Sequence, residues 1–167
     1  CEYVIIGHSE RRHVFGETDA FIREKVEAAI RAGLLPIVCV GETLAQRQAN
    51  DAVRTTCAQV QSALLGLPAD QVAAITLAYE PVWAIGTRHT ASPEEAQKMH
   101  RAIRGWIQAH YPEYVGRDIR IQYGGSVKPT NASMLLSQPD IDGALIGGAA
   151  LKVHSFSAIV QAAAALS

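Results

Sequence analysis

Cysteine is scarce in this sequence: Cys1, Cys39 and Cys57 are the only three in 167 residues. They form no Cys-x-x-Cys pair and no Cys/His spacing suited to zinc, so neither a disulfide framework nor a structural metal site is expected. A reducing, cytoplasmic compartment is the simplest setting for such a chain. No apolar stretch approaches the roughly 20 residues that a membrane span needs; the longest runs, such as Leu34 to Val40, are short. No signal-peptide pattern is visible. Neither sign of charge dominates, with 15 Lys and Arg against 16 Asp and Glu. Without a basic run or stripe, nucleic acid is not an expected partner, and a membrane is not one either.

What is present is an ordinary globular composition, 49% hydrophobic and 19% charged, in a chain long enough for one domain with a core. The first residue is Cys1 and not an initiator Met, and the run from Tyr3 already reads as a buried strand. That abrupt start predicts a chain truncated at its N-terminus.

Short apolar runs alternate with longer amphipathic segments. The runs are Tyr3–Ile6, Leu35–Val40, Ile75–Tyr79, Ile119–Tyr123 and Ala144–Ile146. They do not alternate with polar residues, which suits parallel strands covered on both faces. Between them, Thr18 is placed to cap a helix with Ile22, Val26, Ala29 and Ile30 on one face, and Gly33 marks its stop. Residues from about 43 to 65 predict one or two helices. Ser92-Pro93-Glu94-Glu95 is a capping box that opens a helix bearing Ala96, Met99, Ile103, Trp106 and Ile107. A short helix is expected from Pro129 to about Leu136, and a last one from about Ser155 to Ala165. The order is α/β, with βα repeated. Such a chain builds either an open doubly wound sheet or part of a (β/α)8 barrel, and the pattern alone does not choose.

The polar signatures gather after the predicted strands, at the sheet edge where parallel α/β folds place their sites. Gly7-His8-Ser9-Glu10-Arg11-Arg12 follows the first, Glu80-Pro81-Val82-Trp83 the third, Gly124-Gly125-Ser126 the fourth and Gly147-Gly148 the fifth. A lone Gly-Gly is ordinarily a tight turn. Two of them, on consecutive strands and each before a helix, are suited to hold a phosphate by backbone N–H groups. Glu80 ends a buried run, and the loop after it is apolar through Val82, Trp83, Ala84 and Ile85, as a lid that excludes water would be. Burial there would raise the carboxyl pKa and strengthen it as a base. His8 stands before a helical turn, which favours a neutral ring able to donate to a carbonyl. Taken singly, a strand-end Glu is usually solvated and a loop His usually structural. The remaining histidines, 13, 89, 100, 110 and 154, read as surface, Cys39 as buried packing, and Met99 and Trp106 as core.

Together these strings resemble triosephosphate isomerase. The motifs run from Val4 to Arg12, Pro36 to Leu44, Ala78 to Thr87, Gln122 to Val127 and Asp140 to Ala149, in the family's order over essentially the whole chain. The resemblance implies a partial (β/α)8 barrel, residues 1–167 forming a single domain that supplies strands four to eight and lacks three βα units. It implies Glu80 as base and His8 as the group that polarises the substrate carbonyl, a known pairing of that family. It also implies phosphate binding by Gly86, Ser126, Gly147 and Gly148. Ser9, Glu10, Trp83 and Tyr123 would support the site and its lid, Pro81 to Ala91, with Tyr123 and Ser126 holding the lid shut. Dihydroxyacetone phosphate and glyceraldehyde 3-phosphate would be the substrates, without cofactor or metal, in a cytosolic homodimer of glycolysis and gluconeogenesis.

Three departures stand out. The family's Asn-x-Lys at the end of strand one has no counterpart, which removes a positive charge and a neighbour of Glu10. Arg88-His89 replaces the usual Gly-Lys at the lid hinge, narrowing its backbone freedom. Ala150 replaces a usual Ser. Two unpaired sheet edges predict that the polypeptide alone is inactive, weakly stable and not a native-like dimer. A non-catalytic phosphate-binding βα module is the second reading. Phosphate-binding barrels of histidine or tryptophan biosynthesis would share the glycine loops, but not Gly-His-Ser-Glu together with Glu-Pro-Val-Trp.

Overall fold

Strands β1 (Tyr3–Ile6), β2 (Leu35–Val40), β3 (Thr76–Tyr79), β4 (Arg120–Tyr123) and β5 (Gly143–Ala144) pair in parallel and in chain order in the computed structural model, which describes residues 1–85 and 90–166. That order settles the topology. A doubly wound sheet reverses direction at a switch point, whereas here every crossover steps the same way. With crossovers of one hand, the helices fall on one face. The sheet is thus an arc of the (β/α)8 kind.

Register separates the two faces. Ile6, Val38, Leu77 and Ile121 are paired across the sheet, as are Val40, Tyr79 and Tyr123. All of these are buried beneath the helices. The other row is partly open: Tyr3 is 46% exposed and Ile5 51%.

The helices are α1 (Ser9–His13), α2 (Asp19–Arg31), α3 (Leu44–Gln48), α4 (Ala52–Leu64), α5 (Ala69–Ala74), α6 (Pro93–His110), α7 (Glu113–Asp118), α8 (Ala132–Leu136) and α9 (Val153–Ala164). Side-chain caps explain the starts of α2 and α6. Thr18 accepts from Phe21 N–H ahead of α2, and Ser92 and Glu95 complete the capping box of α6. Gly33, at φ 73°, ends α2 in the left-handed region. Helix α2 packs on α4, and α4 on α6. Two side chains close the C-terminal end of α4: Arg23 Nη1 donates to Leu65 C=O at 2.7 Å and Tyr111 O–H to Leu64 C=O at 2.5 Å.

The segment 43–65 is two helices, within the expected one or two, broken near Asn50, whose φ is 59°. Other boundaries differ from expectation. Helices α5 and α7 were not anticipated; each follows a proline, Pro68 or Pro112, and carries an acid in its first turn, Asp70 or Glu113. Helix α8 begins at Ala132 and not Pro129, and α9 at Val153 and not Ser155. Strand β5 covers only Gly143–Ala144, because its ladder meets only Gln122 and Tyr123 of β4.

Two side-chain expectations are also corrected. His100 is not on the surface: it is fully buried, edge-on to Tyr79 with ring centroids 5.7 Å apart. Its position on the sheet-facing side of α6 leaves it no route to solvent. Trp106 is half-buried at the core's margin, stacked on His110 at 4.0 Å. His13, His110 and His154 are exposed as expected, and Cys39 is buried. His89 lies outside the described residues, as does Arg88.

Candidate active site

The chain leaves β1 through Gly7, whose φ of 73° turns it out of the strand. His8 then caps α1: Glu10 N–H donates to its Nδ1 at 3.3 Å. A backbone donor on Nδ1 leaves the hydrogen of the neutral ring on Nε2. That nitrogen points at Glu80, with His8 Nε2 3.0 Å from Glu80 Oε1.

Glu80 follows β3 directly, and its backbone N–H donates to Val40 C=O at 2.8 Å. Its side chain is 3% exposed. Oε2 accepts from Ser9 N–H at 2.8 Å, so α1 grips the carboxylate from its N-terminus while His8 touches the other oxygen. Burial pushes the Glu80 carboxyl pKa up; His8, the Ser9 N–H, Arg12 and Cys39 oppose it. Burial, and then the Glu80 charge, push the Cys39 thiol well up.

Two glycines make room for Glu80, Gly41 for its backbone and Gly124 for its side chain. A Cβ on Gly41 would lie 1.7 Å from Glu80 C=O, and one on Gly124 would lie 2.9 Å from Glu80 Cγ. Gly41 had no assigned role in the sequence reading. Only the register of β2 against β3 shows why a side chain cannot stand there.

A cleft of about 560 Å³ opens beside the pair. His8, Glu80 and Ile5 line one part of it, and Gly124, Gly125, Ser126, Gly147 and Gly148 another, with Lys128 and Lys152 also on its wall. The structure therefore brings His8 and Glu80 to the same cavity as Ser126, Gly147 and Gly148. A Cβ on Gly147 or Gly148 would meet nothing within 4 Å. The protein's own packing does not demand glycine at these two positions.

The supporting residues divide. Ser9 is buried and contributes its N–H to Glu80. Glu10 is exposed and does not line the cleft. Tyr123 is fully buried, burial raising its pKa to about 12, and its O–H has no partner among the described residues. A side chain on Gly125 would strike that hydroxyl, at 2.2 Å. Gly86 lies outside the described residues, which include the lid segment only as far as Ile85 and again from Thr90.

Trp83 leads to a residue that the sequence reading missed. Its Nε1–H donates to Glu42 Oε1 at 2.8 Å. Glu42 is completely buried and also accepts from Tyr79 O–H at 3.1 Å and Arg47 Nη1 at 3.1 Å. Arg47 continues to Glu95 Oε1 at 2.6 Å, and its guanidinium lies 4.6 Å from the Trp83 ring centroid. Glu95 is itself half of the α6 capping box. Residues on both flanks of the segment expected to be a lid are thus tied to the loop after β2. The sequence signal was the Gly41-Glu42-Thr43 string after a buried strand, which matches the other site strings in position.

Among the described residues no group of three His, Cys, Asp or Glu could hold a metal ion, and no helix is long and apolar enough to cross a membrane.

The family model described as triosephosphate isomerase matches residues 1–163. A triosephosphate isomerase of Chloroflexus aurantiacus is 56% identical over 161 residues, 96% of this chain and 64% of the relative. One of Rhodopirellula baltica is 54% identical over 163 residues, 98% of this chain and 64% of the relative. The chain therefore spans 64% of the length of these relatives. With matching motifs on the strand ends, a parallel sheet wound in one direction and a family match over nearly its whole length, the chain belongs to the triosephosphate isomerase family.

Proposed function

We propose that this cleft is the proton-transfer and phosphate-binding site of an isomerase that interconverts dihydroxyacetone phosphate and D-glyceraldehyde 3-phosphate. The observation that carries this reading is the buried Glu80 carboxylate, 3.0 Å from His8 Nε2, on a cavity that also contains two glycine loops.

The chemistry follows from the geometry. A carboxylate whose pKa is raised by burial is a stronger base. Glu80 removes a proton from the carbon beside the substrate carbonyl. The C–H electron pair becomes the C=C bond of an enediolate, and the carbonyl π pair moves to oxygen. The Nε2–H of a neutral His8 donates to that oxygen. The proton of the adjacent hydroxyl passes by way of His8 Nε2 to the former carbonyl oxygen, and the enediolate pair forms the new carbonyl at the carbon that lost its hydrogen. Glu80 returns its proton to the former carbonyl carbon, so that atoms and charge balance without a cofactor. Gly147, Gly148, Ser126 and Gly86 bind the phosphate through backbone N–H groups. The open space over Gly147 and Gly148 supports close approach of a ligand to the backbone. Trp83 and Tyr123 support the lid, while Ser9 holds the base between turnovers.

In this reading residues 1–167 are one partial barrel domain of a cytoplasmic homodimer that serves glycolysis and gluconeogenesis. The chain alone is inactive, because β1 and β5 each lack a neighbour on one side.

The test is reconstitution. A segment carrying the first three βα units of a family member is added, and turnover of glyceraldehyde 3-phosphate is measured. Activity is expected to appear on mixing, and Glu80→Asp should cost about 10³-fold in kcat with inorganic phosphate affinity unchanged. Phosphate binding without turnover in any mixture favours the non-catalytic module. Turnover that survives Glu80→Asp undiminished overturns the assignment of the base.

A further inference from the structure

Arg12 is the buried cation nearest in the chain to His8, and the reaction above gives it no task. Its side chain is only 8% exposed. Nε donates to Gly7 C=O at 2.8 Å and Nη2 to Cys39 C=O at 3.0 Å, while Nη1 meets Asp19 Oδ1 at 2.5 Å. Its backbone N–H also donates to His8 C=O at 3.1 Å. One residue therefore bonds the carbonyls of Gly7 and His8, on either side of the His8 Cα, and reaches across to the end of β2.

The position of these carbonyls is what matters. Val40, next to Cys39, accepts the Glu80 backbone N–H at 2.8 Å, and Ser9 N–H, one residue past His8, holds Glu80 Oε2. Helix α1 has only five residues, too few to keep its own orientation without tertiary contacts. The guanidinium is a planar fork with donors on several edges, so it fixes the angle between two carbonyls as well as their separation. A lysine ammonium carries the charge without the fork.

We propose that Arg12 is a positioning residue: its guanidinium locks α1 onto the end of β2 and so sets the placement of His8 Nε2 and Ser9 N–H against Glu80. This rests on the proposed function only in treating His8 and Glu80 as the reacting pair. The charged or titratable groups that face Glu80 are His8 on the loop after β1, Arg12 on α1 and Cys39 on β2.

The experiment reads the geometry without substrate. Amide exchange of Ser9 and the carboxyl titration of Glu80 are followed by NMR in the 167-residue chain, in Arg12→Lys and in Arg12→Gln. Arg23→Lys is the control, because Arg23 also caps carbonyls with its guanidinium but does so at the far end of α4. Arg12→Lys is expected to speed Ser9 exchange at least about tenfold as the amide loses its fixed acceptor. Arg12→Gln is expected to do the same and to raise the Glu80 midpoint by about 1 unit through the lost charge. Arg23→Lys should move neither, although it lowers the melting temperature. Unchanged Ser9 exchange in Arg12→Lys, or an equal change in Arg23→Lys, overturns the proposal.

The unaltered chain gives a second reading should the Arg12 variants fail to fold. The Arg12 Nε–H signal should be protected from solvent and should follow the Glu80 titration. An Nε–H that exchanges as fast as that of exposed Arg31, with no response to pH, overturns it equally. Loss of phosphate binding or of reconstituted turnover, with these signals intact, would count against the proposed function and not against Arg12.

Discussion

His100 sits between two tyrosines, with ring centroids 5.7 Å from Tyr79 and 6.3 Å from Tyr123, and its Nδ1 lies 3.1 Å from Asp140 C=O. Burial lowers its pKa from 6.5 to about 4. The unfolded chain therefore takes up this proton at a higher pH than the folded one. Stability should fall as pH drops from 6.5 to about 4, by up to about 3 kcal/mol from this group. Urea denaturation at pH 7 and pH 4.5 checks this, and His100→Gln should flatten the dependence. Glu80 has the opposite sign. Its folded pKa lies above the ordinary 4.5, so its contribution is most favourable below that value and is lost as pH rises through the folded one. Glu80→Gln is therefore expected to raise the urea midpoint at pH 7 while abolishing reconstituted turnover. A lower midpoint would show that the bonds from His8 and Ser9 outweigh the cost of burial.

Helix α6 shows what a single element owes to its first turn. Ser92 Oγ accepts from Glu95 N–H at 3.2 Å, and Glu95 Oε2 accepts from Ser92 N–H at 3.0 Å. Ser92→Ala should cost about 1 kcal/mol in chemical denaturation. Because Glu95 also holds Arg47, the same change should loosen the Trp83–Glu42 contact, read as a shift in indole fluorescence. The start of α6 was legible in four consecutive residues, since a capping box is a local device. So were α2, with its cap and its apolar face, and the strand positions of His8, Glu80 and the glycine loops. Helices α5 and α7 were not, because six residues each are too short to show a period. Gly41 and Glu42 escaped for a different reason. Their roles depend on which atoms of β3 and the lid lie opposite, and that register is written nowhere near them in the chain. His100 was misread because the lack of a partner spacing says nothing of burial, and the two tyrosines beside it stand on strands remote in the chain.

At the scale of the whole molecule, the sheet has free edges at β1 and β5 among the described residues and an open row at Tyr3 and Ile5. Leu151 and Val153, 87% and 84% exposed, add apolar surface beside β5. Self-association that grows with concentration is expected, and sedimentation velocity measures it. Ile5→Lys should weaken it without unfolding the chain, since the side chain is 51% exposed; a chain that stays monomeric at about 100 µM would contradict the expectation. The consecutive strand order also bears on synthesis. Each strand finds its neighbour already laid down, so a nascent chain can add βα units from its N-terminal end without waiting for a remote partner. In the proposed reaction, the His8–Glu80 pair is complete once Glu80 has emerged, but the phosphate loops wait for Gly147 and Gly148. On that reading, a half-made chain would possess its acid–base chemistry before it had any means of retaining the molecule to be transformed.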